Sequence, residues 1–147
     1  MLTKPVAVIV LTWNGLSYTR RCLESLRRNT DHPDWRVIVA DNGSTDGTLE
    51  YLRTLEWITL IENGANLGFT RGNNVAMRTV SPDEDIVLLN NDIETPQPDW
   101  LMRLQKTADS SDDIGIVGCR LVHTDGRLLH YGAYMPPNYR GVQVGGL

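Results

Sequence analysis

Apolar and polar positions follow one another along this chain in a regular order. Val6–Leu11 reads Val-Ala-Val-Ile-Val-Leu, the continuous run of a strand buried on both faces. A polar turn, Thr12–Gly15, follows. Leu16, Thr19, Cys22, Leu23 and Leu26 then recur at helical spacing. Arg20, Arg21, Arg27 and Arg28 lie mostly off that stripe and read as a solvated face, with the last two suited to the negative pole of the helix. Val37–Ala40 predicts a second strand. A turn-rich stretch, Asp41–Thr48, leads into a helix carrying Leu49, Leu52 and Leu55, with Ser44, Thr45 and Asp46 as possible caps.

Trp57–Ile61 predicts a third strand and Phe69–Thr79 a third helix. That helix carries glycine and asparagine in its first turns, so it is weak by propensity, and its small residues permit close approach of a backbone or ligand. Ile86–Leu89 reads as a fourth strand, buried on both faces, that ends abruptly in Asn90-Asn91-Asp92. Trp100, Leu101, Leu104 and Ala108 are at helical spacing after Pro98. Ile114–Val122 predicts a fifth strand interrupted by Gly115 and Gly118. Asp125-Gly126 signals a tight turn, with Arg127–Tyr131 returning as a strand. From Pro136 to Leu147 there is no periodicity, which predicts loop or a poorly ordered terminus. Strands alternating with helices imply an α/β, Rossmann-like fold: a mostly parallel sheet with helices on both faces.

In such a sheet the loops after the strands gather on one edge, where ligands bind. One cleft would therefore hold Asp41, Asp46, Asn66, Arg71, Asn90 and Asp92. Carboxylates, amides and an arginine together suit a nucleoside diphosphate with a divalent cation. Asn90-x-Asp92 offers the hard oxygens that Mg²⁺ or Mn²⁺ prefers, and Arg71 can pair with phosphate. Each residue also has a plainer reading. Asp46 suits a helix cap, Asp41 an Asx-turn, Arg71 an exposed helix face and Asn90–Asp92 a polar turn.

Composition narrows the choice. The chain has 147 residues, enough for one domain with a real core, and 41% hydrophobic and 22% charged residues place it among globular proteins. A net charge of −4 and a pI of about 5.3 argue against nucleic-acid binding. From Arg120 onward the only acid is Asp125, so that end is locally basic. Cys22 and Cys119, one on an apolar helix stripe and one in a strand-like run, read as small buried hydrophobes rather than a disulfide pair. No apolar run reaches membrane-spanning length. The expected compartment is the cytoplasm, with at most a peripheral association at the inner face of a membrane. The GxGxxG and GxxxxGK[ST] phosphate loops are absent, and His32, His123 and His130 lie in or near turns with no nucleophile elbow.

Four segments in order resemble the inverting family 2 glycosyltransferases of GT-A fold. They are Val-Ile-Val-Leu-Thr-Trp-Asn-Gly, Val-Ile-Val-Ala-Asp-Asn-Gly-Ser-Thr-Asp-Gly-Thr, Asn-Leu-Gly-Phe-Thr-Arg-Gly-Asn-Asn and Leu-Leu-Asn-Asn-Asp. Gly118–Gly132 is similar to the segment after the metal motif in rhamnosyltransferase-like members. The resemblance runs from Val6 to about Tyr134. It implies base contacts by Thr12 and Asp41. It puts Asn90 and Asp92 where the family has the two acids of its metal motif, with Asp92 the metal ligand. The nucleotide-sugar-binding set it implies is Thr12, Asn14, Asp41, Asn42, Ser44, Asp46, Asn66, Arg71, Asn90 and Asn91. The partners it implies are a UDP- or dTDP-type sugar and a glycan or lipid-linked acceptor.

Inverting transfer needs a general base for the acceptor hydroxyl. In the family that acid lies well downstream of the metal motif. Here no acid follows Asp125, so the catalytic base is expected to be missing from these residues. The expectation is a nucleotide-sugar-binding GT-A domain over residues 1–135, the donor half of a glycosyltransferase of cell-surface polysaccharide or glycan synthesis, with 136–147 outside it. A non-catalytic nucleotide-sugar-binding domain and a nucleotidyltransferase are the alternatives.

Overall fold

The computed structural model describes residues 4–134 and 142–144. Contacts divide the chain into two compact units, residues 1–100 and 101–147. In the first unit, β1 (Val6–Thr12), β2 (Trp35–Asp41), β3 (Ile58–Glu62) and β4 (Asp85–Asn90) form one sheet in the order β3-β2-β1-β4, every neighbouring pair parallel. The crossovers carry α1 (Leu16–Arg28), α2 (Thr48–Leu52) and α3 (Gly68–Met77).

Register explains which residues meet. In parallel strands, paired residues point to the same face. Ala7, Ile9 and Leu11 therefore share a face with Ile38 and Ala40 of β2, and these pack with Ala76 of α3, Ile61 and Val80. Val6, Val8 and Val10 point the other way and are fully buried, as are Val37 and Val39 or nearly so. Thr12 continues that second face and touches Thr19 of α1, which puts α1 there, burying Cys22, Leu23 and Leu26. Arg20 stacks on Tyr51 at 4.7 Å and Arg27 on Trp57 at 5.7 Å. Two of the helix arginines thus pack α1 against α2 and the approach to β3, beyond the solvated face expected of them.

The order of the sheet decides where a ligand fits. From β1 the chain moves outward through β2 to β3, then returns across the sheet to β4. Between β1 and β4 the direction of winding reverses, which is where ligands bind in sheets of this kind. Thr12, Asp41, Glu62 and Asn90 all end their strands on this edge.

Three expectations need correcting. β4 is an edge strand, pairing with β1 alone among the described residues, and its Ile86 and Leu88 are exposed rather than buried on both faces. On that face α3 covers β1 and β2. The predicted fifth strand is not in the sheet. Residues 114–120, broken by Gly115 and Gly118, form no regular element, and Ile116 and Cys119 there are exposed. Two glycines in five positions leave few side chains to hold a strand. Finally, Val142–Val144 forms β8 where loop was expected, its two β-branched residues flanking Gln143. It pairs antiparallel with β7 (Gly132–Tyr134), and the rest of 136–147 lies outside the described residues.

The second unit begins within α4 (Trp100–Ala108). The predicted hairpin is present: β5 (Leu121–Val122) pairs antiparallel with β6 (Leu128–His130) around the Asp125-Gly126 turn, with Gly126 at φ 86°.

Candidate nucleotide-sugar site

Three small hydrogen-bond networks shape the edge of the sheet. The first joins the loop after β1 to the loop after β2. Asp46 Oδ2 accepts from the backbone N–H of Gly15 at 2.7 Å and of Leu16 at 3.1 Å. Its Oδ1 accepts from the backbone N–H and hydroxyl of Thr48. One carboxylate thus caps the starts of α1 and α2 together, satisfying donors that a helix cannot satisfy itself. The Thr48 hydroxyl, then the N–H groups of Leu16, Thr48 and Gly15, hold the Asp46 pKa down to about 2. The traffic is reciprocal. Asn14, at φ 58°, accepts from the Thr45 N–H at 2.8 Å and donates its own N–H to Ser44 Oγ at 2.7 Å. Ser44 Oγ in turn donates to Asp41.

Asp41 is fully buried. Its Oδ1 accepts from the N–H groups of Gly43 and Ser44, which is an Asx-turn extended by one residue. The second network lies on the far side of the same loop. Asn42 donates to Asn66 Oδ1 and to the Gly68 carbonyl and accepts from Asn63. Gly43, at φ 78°, comes so near Ala65 that a Cβ there would stand 3.0 Å from its backbone.

The third network spans the winding reversal. Asn91 Nδ2 donates to Thr12 Oγ1 at 3.2 Å and to Thr19 Oγ1 at 3.0 Å, and the two hydroxyls lie 2.9 Å apart. The segment after β4 is further fixed to α1 by Thr95 N–H to Ser25 Oγ, and Trp100 Nε1 bonds Thr30 Oγ1 just beyond α1. The sequence pattern places Thr19 on an apolar stripe. Only its contacts show it to be polar in action, and the one signal for it is a hydroxyl where an aliphatic residue would fit.

Of the residues expected at a ligand, Thr12, Asn14, Asp41, Asn42, Ser44, Asp46, Asn66 and Asn91 are thus occupied with one another. Asn90 and Asp92 differ. Both are exposed at the end of β4, and neither side chain has a hydrogen-bond or ion-pair partner among the described residues. Arg71 is also exposed and lines a shallow cavity of about 220 Å³ with Leu67, Asn74, Val75 and Arg78. Trp13 and Phe69, which the chemical reading of the loops overlooked, expose their rings beside Thr12–Gly15 and at the start of α3.

The donor set bears on a metal. One free carboxylate and one free amide oxygen at a strand end are hard ligands, short of a protein cage. They fit Mg²⁺ or Mn²⁺, which keep waters and take substrate phosphates as ligands. No cluster of three acidic, histidine or cysteine side chains occurs among the described residues. Burial, then the charge of Asp92, push the Cys22 thiol up to about 12, so this cysteine is inert.

Residues 7–144 match the family described as Glycosyl transferase family 2. The chain belongs to that family. Among curated relatives, it is 30% identical to the O-antigen biosynthesis protein RfbC of Myxococcus xanthus over 88% of its length. It is 26% identical to N-acetylglucosaminyl-diphospho-decaprenol L-rhamnosyltransferase of Mycobacterium tuberculosis over 95%. The mannosyltransferase PcManGT of Pyrobaculum calidifontis, solved with GDP-Man and Mn²⁺, superposes with a TM-score of 0.72 at 28% identity over 83% of the chain. These matches cover 10%, 48% and 37% of the three proteins respectively, so the family 2 chain spans less than half of each. The mostly parallel sheet of this chain matches the GT-A arrangement of that solved mannosyltransferase. No helix among the described residues is long and apolar enough to cross a membrane.

Proposed function

We propose that this family 2 glycosyltransferase domain binds a nucleoside-diphosphate sugar, with Mg²⁺ or Mn²⁺, in the crevice between β1 and β4. The observation that carries the reading is the freedom of Asn90 and Asp92. Among the described residues, the other amides, hydroxyls and carboxylates named around that crevice are committed to neighbours, while these two stand open at the strand end where the winding reverses. Asp92 would hold the metal and Asn90 would assist. The metal, when bound, would neutralise the charge developing on the diphosphate as it leaves. Asp41, Ser44, Asp46 and Asn14 would keep the base-binding loops in shape, and the exposed ring of Trp13 offers a stacking surface. Arg71 is the cation available for phosphate. The PcManGT complex, with GDP-Man and Mn²⁺ on the same fold, supports this choice of ligand class.

The wider reading is inverting transfer to a hydroxyl of a glycan or lipid-linked acceptor in surface polysaccharide synthesis, at a cytoplasmic site. The named functions of RfbC and the mycobacterial rhamnosyltransferase favour that setting. The donor would be a UDP- or dTDP-type sugar, with GDP the rival. Asp125 is held by the N–H and guanidinium of Arg127, which lower its pKa and make it a poorer proton acceptor. The chain alone should therefore bind donor without glycosylating an acceptor.

Calorimetric titration with UDP-, dTDP- and GDP-sugars, with Mn²⁺ or with EDTA, tests the first claim. Saturable binding that the metal strengthens is expected, and no binding of any of the three would sink it. Diphosphate release and acceptor glycosylation in the same mixtures test the second. Acceptor glycosylation that disappears in Asp125→Asn would overturn it.

A further inference from the structure

We infer that Thr19, a fully buried residue of α1, is a positioning residue for Asn90 and Asp92, acting through the side chain of Asn91. The inference rests on the donor-site reading above and adds a residue to it.

The Asn91 amide nitrogen and the hydroxyls of Thr12 and Thr19 form a triangle of contacts. The Asn91 amide has two N–H groups, and its nitrogen lies within hydrogen-bond distance of two hydroxyls, Thr12 Oγ1 and Thr19 Oγ1. Thr12 donates its own proton to the Asn14 carbonyl at 3.4 Å. The Thr19 proton then goes to Thr12 Oγ1, 2.9 Å away. Each of the three polar atoms is thus in reach of the other two. Such a network is worth most when complete, because each member fixes the next in a site of low dielectric.

Its consequence for the crevice is geometric. Residues 90–93 form a turn closed by the Ile93 N–H on the Asn90 carbonyl at 3.3 Å, with Asn91 and Asp92 at its centre. Seating the Asn91 amide against α1 anchors this turn, and Asn90 and Asp92 are exposed while Asn91 is half-buried. The hydroxyl of Thr19 contributes half of that seat. It is supplied from a helix whose first backbone N–H groups already belong to Asp46, so the seat is itself held in place. Partners behind a metal ligand commonly alter affinity by 10- to 100-fold when removed.

Two variants separate the hydroxyl from the volume it fills. Thr19→Val keeps the shape and loses the hydrogen bonds, and Thr19→Ser keeps the bonds. UDP, dTDP and GDP, each with Mn²⁺ and with EDTA, serve as probes. Thr19→Val should weaken metal-dependent binding about 10-fold and change metal-free binding less than about two-fold, with Thr19→Ser close to wild type. The second readout needs no ligand. Backbone hydrogen exchange of residues 90–92 should quicken at least about 10-fold in Thr19→Val, while exchange in β1 and β2 stays put. Asn91→Ala should reproduce both changes, and Thr19→Val/Asn91→Ala should add nothing further. It also stands in for Thr19→Val if that variant fails to fold. If wild type binds none of the probes, the donor reading falls and the exchange experiment still decides the positioning role. Wild-type binding and exchange in folded Thr19→Val would overturn the inference. Equal loss of metal-dependent and metal-free affinity would overturn it too, by showing a general loosening.

Discussion

Asp46 and Gly15, separated by 31 residues of sequence, are joined by a 2.7 Å hydrogen bond from the Gly15 N–H to Asp46 Oδ2. The bond makes a residue of one loop the cap of a helix that follows another. The base-binding reading of the crevice depends on both loops, and this bond ties them together with the equally short one from the Asn14 N–H to Ser44 Oγ. Asp46 is therefore read best as the residue that shapes the site, which also explains why a carboxylate rather than an amide stands there. Four donors converge on it, and a negative charge near two helix starts is favoured by their dipoles.

Asp46→Ala should lower stability by about 1–2 kcal/mol, the usual cost of a lost cap on one or two helices. Asp46→Asn should recover part of that loss. The pH dependence follows from the pKa of about 2. A carboxylate whose folded pKa lies below its unfolded value contributes fully above the unfolded pKa, near 4, and loses the contribution as pH falls towards 2. Urea unfolding of wild type and Asp46→Asn should therefore differ at pH 7 and at pH 5, and converge near pH 2. A constant difference across that range would place the effect elsewhere.

A second carboxylate, at the opposite edge of the sheet, behaves in the same direction for a different reason. Arg36 of β2 grips Glu84 with two bonds of 2.7 and 2.8 Å and also donates to the Thr79 carbonyl. The Glu84 side chain is only 11% exposed. The Arg36 guanidinium, then the Ser81 N–H, hold its pKa down to about 2. Glu84→Gln should cost about 1 kcal/mol at neutral pH, as expected for a charge-assisted pair that is only partly desolvated. The difference should shrink below the ordinary glutamate pKa of about 4.3 and be gone near pH 2. Nucleotide affinity at pH 7 should not change, because the pair lies away from the crevice.

Much of the architecture was readable in the residues themselves. β1 and β2 carry apolar runs rich in β-branched residues, as expected of parallel strands covered on both faces, and the polar clusters after them mark one edge of a sheet. The resemblance to family 2 enzymes rested on those same clusters. Two features were not readable for physical reasons. Ile114–Val122 has strand-forming residues, but Gly115 and Gly118 remove the side chains that would hold it, and propensity cannot weigh that loss against tertiary context. The partners of Thr12, Asn14, Ser44, Asp46 and Asn91 depend on which loops meet, so the sequence shows their chemistry and not whether it is spent on the protein or on a ligand. Thr19 is the extreme case, a polar role within an apolar stripe.

Gly72 shows the same limit from the packing side. By propensity, Gly72→Ala should favour α3 by about 1 kcal/mol. The structure says otherwise. A Cβ there would stand 2.6 Å from Leu11 Cδ1 and 2.9 Å from Asn42 Oδ1. The leucine methyl can turn aside, but Asn42 is tied to Asn63, Asn66 and Gly68. Overpacking of this kind costs about 1–3 kcal/mol, so the variant should be less stable on balance. Thermal unfolding should show a Tm lower than wild type, and a higher Tm would mean that the Asn42 network yields easily.

The sharpest test of the crevice is at Asn90 and Asp92, whose side chains have no partner among the described residues. Asp92→Ala should abolish the effect of Mn²⁺ on nucleotide binding and leave stability within about 0.5 kcal/mol, because the side chain is exposed and unbonded. Asn90→Asp works in the opposite direction. With asparagine at position 90 the motif carries a single negative charge, so an ion must rely on the phosphates for the rest of its ligands, and binding before nucleotide should be weak. A second carboxylate at a distance the metal can bridge supplies hard oxygen and charge together. Mn²⁺ titration of the nucleotide-free protein should then show affinity in Asn90→Asp that wild type lacks. In the absence of metal the two carboxylates repel, so Asn90→Asp should also raise the pKa of one of them, an effect that Mn²⁺ reverses. If Asn90→Asp leaves nucleotide-free Mn²⁺ affinity unchanged and Asp92→Ala leaves the metal effect intact, the ion binds elsewhere, and the freedom of these two side chains has another cause.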